Sequence, residues 1–304
     1  MTYKTITIVT DCGRDLGSGH LQRMLSLLWH LNSKKNIKAF ITGKNIRVYI
    51  PDELKSFVTQ AINPLSDLII RDMRDSSQEE ILKLKSIAPV MVIDDLGEGR
   101  NTADHRINLL PNLVDPIESN SGMELFIYGY NFITSAGAIS DHFIEKDIDV
   151  LFYPGFHQDR EYREKIISLI PAQASYSVLD NDGSYVIMKE NSGTASGRSY
   201  SRMLLSGRSV ITHFGITLFE AAVSGCSIIA VHPTKYHSDL AEKTKSFFSI
   251  ENCGVYDSLD YHHAADAVRR GIDDSRNKII SPRKVYLKIL NNLNNFSSLI
   301  EKLC

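Results

Sequence analysis

The chain has 304 residues, of which 43% are hydrophobic and 23% charged, an ordinary balance for a soluble globular protein of two domains or one large α/β domain. A net charge of −2 gives no bulk attraction for nucleic acid, and none is expected as a partner. No apolar run approaches ~18 residues, so no membrane span is expected; peripheral membrane contact and the oligomeric state are left open.

Four cysteines, Cys12, Cys226, Cys253 and Cys304, have no CxxC spacing. They read as free thiols of a cytoplasmic protein. The N-terminus runs straight into a strand, with no signal peptide visible.

Short apolar runs alternate with helical patterns along the chain. The first half predicts strands at 6–9, 39–41, 68–70, 90–93, 107–110 and 125–128. It predicts helices over 21–31, from Pro51 to about 61, and over 77–86, with Glu79 and Glu80 at the favourable end of the last one. Trp29 on the first helix is expected in the core. Continuously apolar strands alternating with helices predict a parallel sheet covered on both faces. The pattern breaks at 135–147, where a linker is placed.

A second set of elements follows. Strands are expected at 150–153, 175–179, 185–188, 210–212 and 228–231. Helices are expected over 159–170, 199–205, 217–223, 237–248, 261–272 and 282–303, with a turn at Asp180-Asn181-Asp182-Gly183. Gly225 is read as the C-terminal cap of the 217–223 helix. The domains are placed at 1–138 and 148–281, joined by the 139–147 linker and followed by the 282–304 helix. Ligands in doubly wound sheets bind outside the carboxyl ends of the strands. Two strand–turn–helix units of this chain lie at such ends.

The first is Asp11-Cys12-Gly13-Arg14-Asp15-Leu16-Gly17-Ser18-Gly19-His20-Leu21-Gln22-Arg23. Gly17 and Gly19 let the backbone pass close to a ligand. The helix start presents N–H groups and the positive end of the dipole to an anion. His20 and Arg23 fall one turn apart on one face. An imidazole there can accept a proton from water at neutral pH. Asp11 is placed to orient a substrate hydroxyl or His20, and Arg23 to meet a phosphate, to lie exposed or to form a salt bridge within its own domain.

The second is His213-Phe214-Gly215-Ile216-Thr217-Leu218-Phe219-Glu220. Gly215, Ile216 and Thr217 offer N–H groups, and Thr217 a hydroxyl, to a diphosphate. Glu220, one turn on, can accept two hydrogen bonds from a ribose diol. Anion donors and a diol acceptor at this spacing describe a nucleoside diphosphate. His213 itself is read as structural.

Gly17-Ser18-Gly19-His20-Leu21-Gln22-Arg23 resembles the GxGHxxR signature of the sugar-nucleotide hydrolase of pseudaminic acid biosynthesis, the UDP-2,4-diacetamido-2,4,6-trideoxy-β-L-altropyranose hydrolase family. Ile93-Asp94-Asp95 and the 104–108 segment are similar to its mid-domain pattern, and Asp94 is a candidate site residue. The 213–225 segment is similar to the donor signature of GT-B glycosyltransferases. The resemblance implies an α/β GT-B fold of two Rossmann-like doubly wound domains facing across a cleft. It implies UDP held mainly by the C-terminal domain and a final helix crossing back to the first. It makes His20 the base that activates water at the anomeric carbon and sets Gly19 by the diphosphate.

UDP is a good leaving group and helix N-termini can meet its charge, so neither a cofactor nor a metal is required. His232 with His237, or His262-His263, lacks a third ligand at metal spacing. The sequence departs from the family at 154–159, at 128–134 and at Tyr236-His237, which stands where the family carries (Asn/Asp)-Gln and makes His237 a further candidate. The expected function is hydrolysis of a UDP-activated amino sugar in nonulosonic-acid or surface-glycan synthesis. A GT-B glycosyltransferase, a non-catalytic sugar-nucleotide-binding protein and a non-hydrolysing epimerase are the alternatives.

Overall fold

The computed structural model describes residues 3–13, 17–115, 123–139, 143–155, 160–179, 185–187, 199–275 and 278–304. The expected start of the 159–170 helix, the 180–183 turn and part of the 139–147 linker lie outside them. The chain divides into two compact units, one of residues 1–130 and 289–304, the other of 131–288.

Unit 1 contains β1 (Lys4–Thr10), α1 (Gly19–Asn32), β2 (Ile37–Thr42), β3 (Leu68–Asp72), α2 (Gln78–Lys85), β4 (Val90–Ile93) and β5 (His105–Ile107). The strands form one parallel sheet in the order β2-β1-β3-β4-β5. Every residue of β3 and β4 is buried, as strands covered on both faces require. Leu21, Met24, Leu25, Leu28 and Leu31 recur at helical spacing and bury one face of α1. Trp29 is only half-buried and stands beside that stripe rather than in the core.

Unit 2 contains β6 (Ile144–Glu145), β7 (Ile148–Phe152), α4 (Arg160–Ile167), β8 (Tyr176–Leu179), β9 (Tyr185–Ile187), α5 (Tyr200–Ser206), β10 (Gly207–Thr212), α6 (Ile216–Val223), β11 (Ser227–His232), α7 (Lys235–Thr244), β12 (Ile250–Val255), α8 (Tyr261–Ser275) and β13 (Ile279–Ile280). Its six-stranded sheet runs β12-β11-β10-β7-β8-β9 and is parallel except for the β8–β9 pair. The core behind it joins Val150, Phe152, Ile211, Ile229 and Val231 to Ile166 of α4 and Val268 of α8. Helix α3 (Tyr130–Gly137) opens this unit, and α9 (Pro282–Leu303) follows β13.

Several expectations are corrected. Pro51 does not open an α-helix; a short 3-10 turn, Asp52–Phe57, stands there. The 107–110 strand stops at Ile107 because Leu109 and Leu110 turn their N–H groups onto the Asp94 carboxylate. Residues 125–128 are not a strand. Their neighbourhood is pinned by Asn292 of α9, which donates to the carbonyls of Met123 and Phe126. The break at 135–147 holds the end of α3 and the short strand β6, where Lys146 is buried. Lys146 donates to the Gly207 and Ser224 carbonyls, at the C-terminal ends of α5 and α6, where a cation suits the helix dipoles. Gly225 does cap α6, with φ +72°, and its N–H bonds the Ala222 carbonyl.

Candidate functional site

In unit 1 three neighbouring strands end in acids: Asp11 follows β1, Asp72 closes β3 and Asp94 follows β4. Thr10 and Asp72 are partners in the β1–β3 ladder, which sets Asp72 level with the end of β1. The chain leaving β1 closes on itself through an antiparallel bridge between Gly13 and Gly17. Gly17 needs φ +75°, which glycine adopts without strain. Ser18 is the N-cap residue, so Gly19 and His20 lie in the first turn of α1.

His20 Nδ1 lies 2.7 Å from Asp72 Oδ1. The imidazole keeps 19% of its side-chain surface exposed, whereas the Asp72 side chain has none. Arg23, one turn on, grips both oxygens of Asp72 at 2.5 Å and reaches Asp94 Oδ2 at 2.6 Å. Arg23 is therefore a buried, salt-bridging arginine within its own unit. Burial alone would push the Asp72 carboxyl up, but Arg23 and His20 outweigh it and hold it down to about 2. Asp94 goes the other way: burial, reinforced by Asp72, raises it against the pull of Arg23 and the Leu110 N–H.

An ionised Asp72 can only accept hydrogen bonds, so the proton of the neutral imidazole sits on Nδ1 and the Nε2 lone pair is left available.

Asp94 adopts φ +51°, a left-handed conformation that costs a non-glycine residue energy. Its carboxylate collects Leu109 N–H, Leu110 N–H and Arg23 in return. Asp11 does not orient His20. Its Oδ1 accepts from the N–H groups of Cys12 and Asn45, and its Oδ2 from the Asn45 amide. It thereby ties the loop after β2 to the end of β1. Asp72, unexpected from the sequence, is the residue that orients His20. The available signal was an acid ending an apolar strand next to β1 in a doubly wound sheet.

In unit 2, Gly215 is the N-cap of α6 and no side chain caps the helix. Its backbone is extended there (φ 170°), so no strain requires glycine; the small residue leaves the N–H end of the helix open to close approach. Ile216 and Thr217 follow in the first turn. Thr217 and Glu220 are buried, and both meet a residue that sequence reasoning missed: Tyr200 Oη donates to Glu220 Oε2 at 2.7 Å and lies 3.0 Å from Thr217 Oγ1. The carboxylate takes the phenolic proton, so the Thr217 hydroxyl donates to Tyr200. Burial and the Glu220 charge push the Tyr200 phenol well above its ordinary range, and the same causes bring Tyr153 up to about 12.

His213 packs directly on Gly155, where any Cβ would strike its Nε2; Gly155 has φ +64°. His213 Nδ1 lies 2.9 Å from the Phe214 carbonyl, and the ring stands 6.3 Å from that of His237. His237 in turn meets its cap residue, with Nδ1 2.7 Å from Thr234 Oγ1. His232 is buried and accepts from the Phe214 N–H; burial, with His213 and His237 nearby, lowers it to about 3. Among the described residues no three His, Cys, Asp or Glu side chains converge on a point that could hold a metal ion.

A scan of the sequence against protein-family models finds no match, and a search of curated proteins finds none. Solved structures do match. The spinosyn rhamnosyltransferase SpnG complexed with thymidine diphosphate is 10% identical over 97% of this chain and 99% of that one, with TM-score 0.62. The spinosyn forosaminyltransferase SpnP is 11% identical over 99% of each chain, with TM-score 0.56. A putative UDP-N-acetylglucosamine 2-epimerase from Listeria monocytogenes is 10% identical over 95% of this chain and 91% of that one, with TM-score 0.51. At such identities the likeness is one of fold. The two Rossmann-like α/β units are those of GT-B proteins.

Proposed function

We propose that the chain processes a nucleotide-activated amino sugar at its anomeric carbon, with His20 as base and Asp72 as the residue that holds it. The single observation that carries this reading is the 2.7 Å contact between His20 Nδ1 and a fully buried, ionised Asp72. Nε2 takes a proton from water, the water oxygen attacks the anomeric carbon, and the carbon–oxygen bond to the diphosphate breaks. Its electron pair leaves with UDP. The imidazolium is stabilised by Asp72, as the orienting acid of a catalytic triad stabilises its histidine.

Gly215, Ile216 and Thr217 supply backbone N–H groups for the diphosphate, and Glu220, fixed by Tyr200, accepts from the ribose. That a fold neighbour is complexed with thymidine diphosphate and another is described as acting on UDP-N-acetylglucosamine supports a nucleoside diphosphate as ligand. Water as nucleophile, which makes the enzyme a hydrolase, rests on the GSGHxxR turn.

A second reading, transfer to an acceptor hydroxyl, uses the same base. It is favoured by a pocket of about 440 Å³ at the ends of β1 and β2. Incubation with a panel of UDP-sugars, without acceptor and in ¹⁸O-water, tests the choice. Hydrolysis releases UDP and labels the sugar. UDP release only on addition of an acceptor assigns transfer, and no release under either condition removes both.

A further inference from the structure

The pocket at the ends of β1 and β2 belongs to unit 1 alone. Cys12 and Gly13 form one side; Lys44, Asn45, Arg47 and Tyr49 form the other. Its wall is a built loop. Gly43 lies against the Thr10 carbonyl so closely that a Cβ would overlap it. The Asp11 carboxylate holds Asn45 by two donors, and the Cys12 thiol meets the Asn45 carbonyl. Ile46 and Ile50 are buried beneath and anchor the turn between them. On this fixed support Val48 is 83% exposed and Tyr49 56% exposed.

The charges of the pocket are one-sided. Lys44 and Arg47 are exposed, and neither has an ion-pair partner among the described residues. Lys83, Lys165 and Lys235, also exposed, pair with Glu79, Glu161 and Asp239. Among the described acids nearby in sequence, Asp11 is buried and committed to Asn45 and Cys12, Asp52 pairs with Lys55, and Glu53 accepts from the Tyr130 hydroxyl. Burial, with Asp11 behind it, pushes the Cys12 thiol up to about 11, so it adds no negative charge. These two cations and an exposed aromatic face around a concave space suit a sugar that carries an anion. The guanidinium and ammonium meet the charge, and the ring covers apolar sugar C–H surface.

Position gives the distance to the chemistry. The pocket lies on the β2 side of β1 and the His20–Asp72 pair on the β3 side. Strands in a sheet are about 4.8 Å apart, so the two sites are separated by on the order of 10 Å, the reach of one or two sugar rings. The geometry points to a pocket that binds the carboxylate or phosphate group of the sugar substrate other than the nucleotide, held by Lys44 and Arg47. The site thus selects an acidic sugar as the second reactant or as an extension of the transferred one. This rests on the reading of His20 as the base of a sugar-nucleotide reaction.

Calorimetric titration of the full chain with glucose 6-phosphate, glucuronate, inorganic phosphate and UDP tests it, using the wild type and the K44E/R47E variant. Both residues are exposed, so the variant should fold; its melting curve checks that. The expected result is saturable binding of at least one acidic sugar, tenfold or more weaker in K44E/R47E, with UDP affinity unchanged. The proposal is overturned if neither acidic sugar binds, if charge reversal leaves that binding unaltered, if inorganic phosphate binds equally well, or if UDP is the ligand that is lost. A wild type that binds an acidic sugar through this pair but does not bind UDP keeps the pocket and refutes the nucleotide-sugar reading.

Discussion

His20 and Asp72 lie 52 residues apart in the chain and 2.7 Å apart in space, the imidazole at the start of α1 and the carboxylate at the end of β3. The adjacency of β1 and β3 in the sheet creates the contact. Asp72 does not touch the reacting atoms on the proposed mechanism. It fixes the tautomer and the ring direction. In D72N the amide can donate to Nδ1 and move the proton to Nε2, where it blocks the base. We expect kcat for UDP release to fall by about 100-fold or more, with KM little changed, because general-base catalysis is worth that much. A purely structural role would lower the melting temperature and leave kcat per folded molecule intact.

Arg23 is the counter-charge of that arrangement. It is 3% exposed and bonds two carboxylates. Arg23→Met leaves Asp72 and Asp94 buried side by side with no guanidinium between them. Breaking a buried ion pair from one side costs about 3–5 kcal/mol. Urea denaturation should show a loss of that size. A loss below ~1 kcal/mol would mean that water reaches the cluster.

Stability should fall in acid, and the window follows from three groups. His30 is lowered to about 4, by burial first and then by Lys34, and His232 to about 3. A histidine kept neutral in the fold contributes stability above its unfolded value near ~6.5, and that stability is lost as pH falls towards the folded value. Asp72, held at about 2, adds stability above ~3.9 that is lost only below it. The urea midpoint should thus be flat around pH 7.5 and decline from ~6.5 downward, with a further decline below ~4. His232→Asn keeps an acceptor for the Phe214 N–H and should make the first decline shallower. An unchanged slope in that variant contradicts the assignment.

Tyr200 and Glu220 separate stability from binding. Tyr200→Phe removes the phenolic donor from a buried carboxylate, and should cost about 1–3 kcal/mol of stability. Glu220→Gln keeps the volume and removes the charge that would hold a ribose diol. UDP affinity should drop about tenfold or more, the scale of a hydrogen bond to a charged group. Fluorescence or calorimetric titration with UDP measures it. Full UDP affinity in Glu220→Gln would assign Glu220 to the interior alone.

The α/β alternation was legible because each apolar strand is short, continuous and followed by a helical period. His20 was legible because the glycine turn before it has a local signature. Its partner was not, because strand order is a property of the sheet: nothing in the 68–72 segment says that it lies beside β1. The acids at 11, 72 and 94, each closing an apolar run, were the usable hint. Helix α3 was missed since Ser135-Ala136-Gly137 reads as a break, although Tyr130, Phe132, Ile133 and Ala136 bury one side of it. Strand β12, Ile250–Val255, was missed because an edge strand carrying Glu251, Asn252 and Gly254 lacks the apolar run of a central one. Trp29 was misplaced because residue type suggested the core, whereas its position on α1 falls beside the leucine stripe.

The most direct test of the central claim is the rate of UDP release by His20→Ala, measured beside its UDP affinity on a UDP-sugar that the wild type turns over. If His20 is the base, release falls by at least about 100-fold while UDP binds as in the wild type. Release at the wild-type rate in the folded His20→Ala protein would contradict the account.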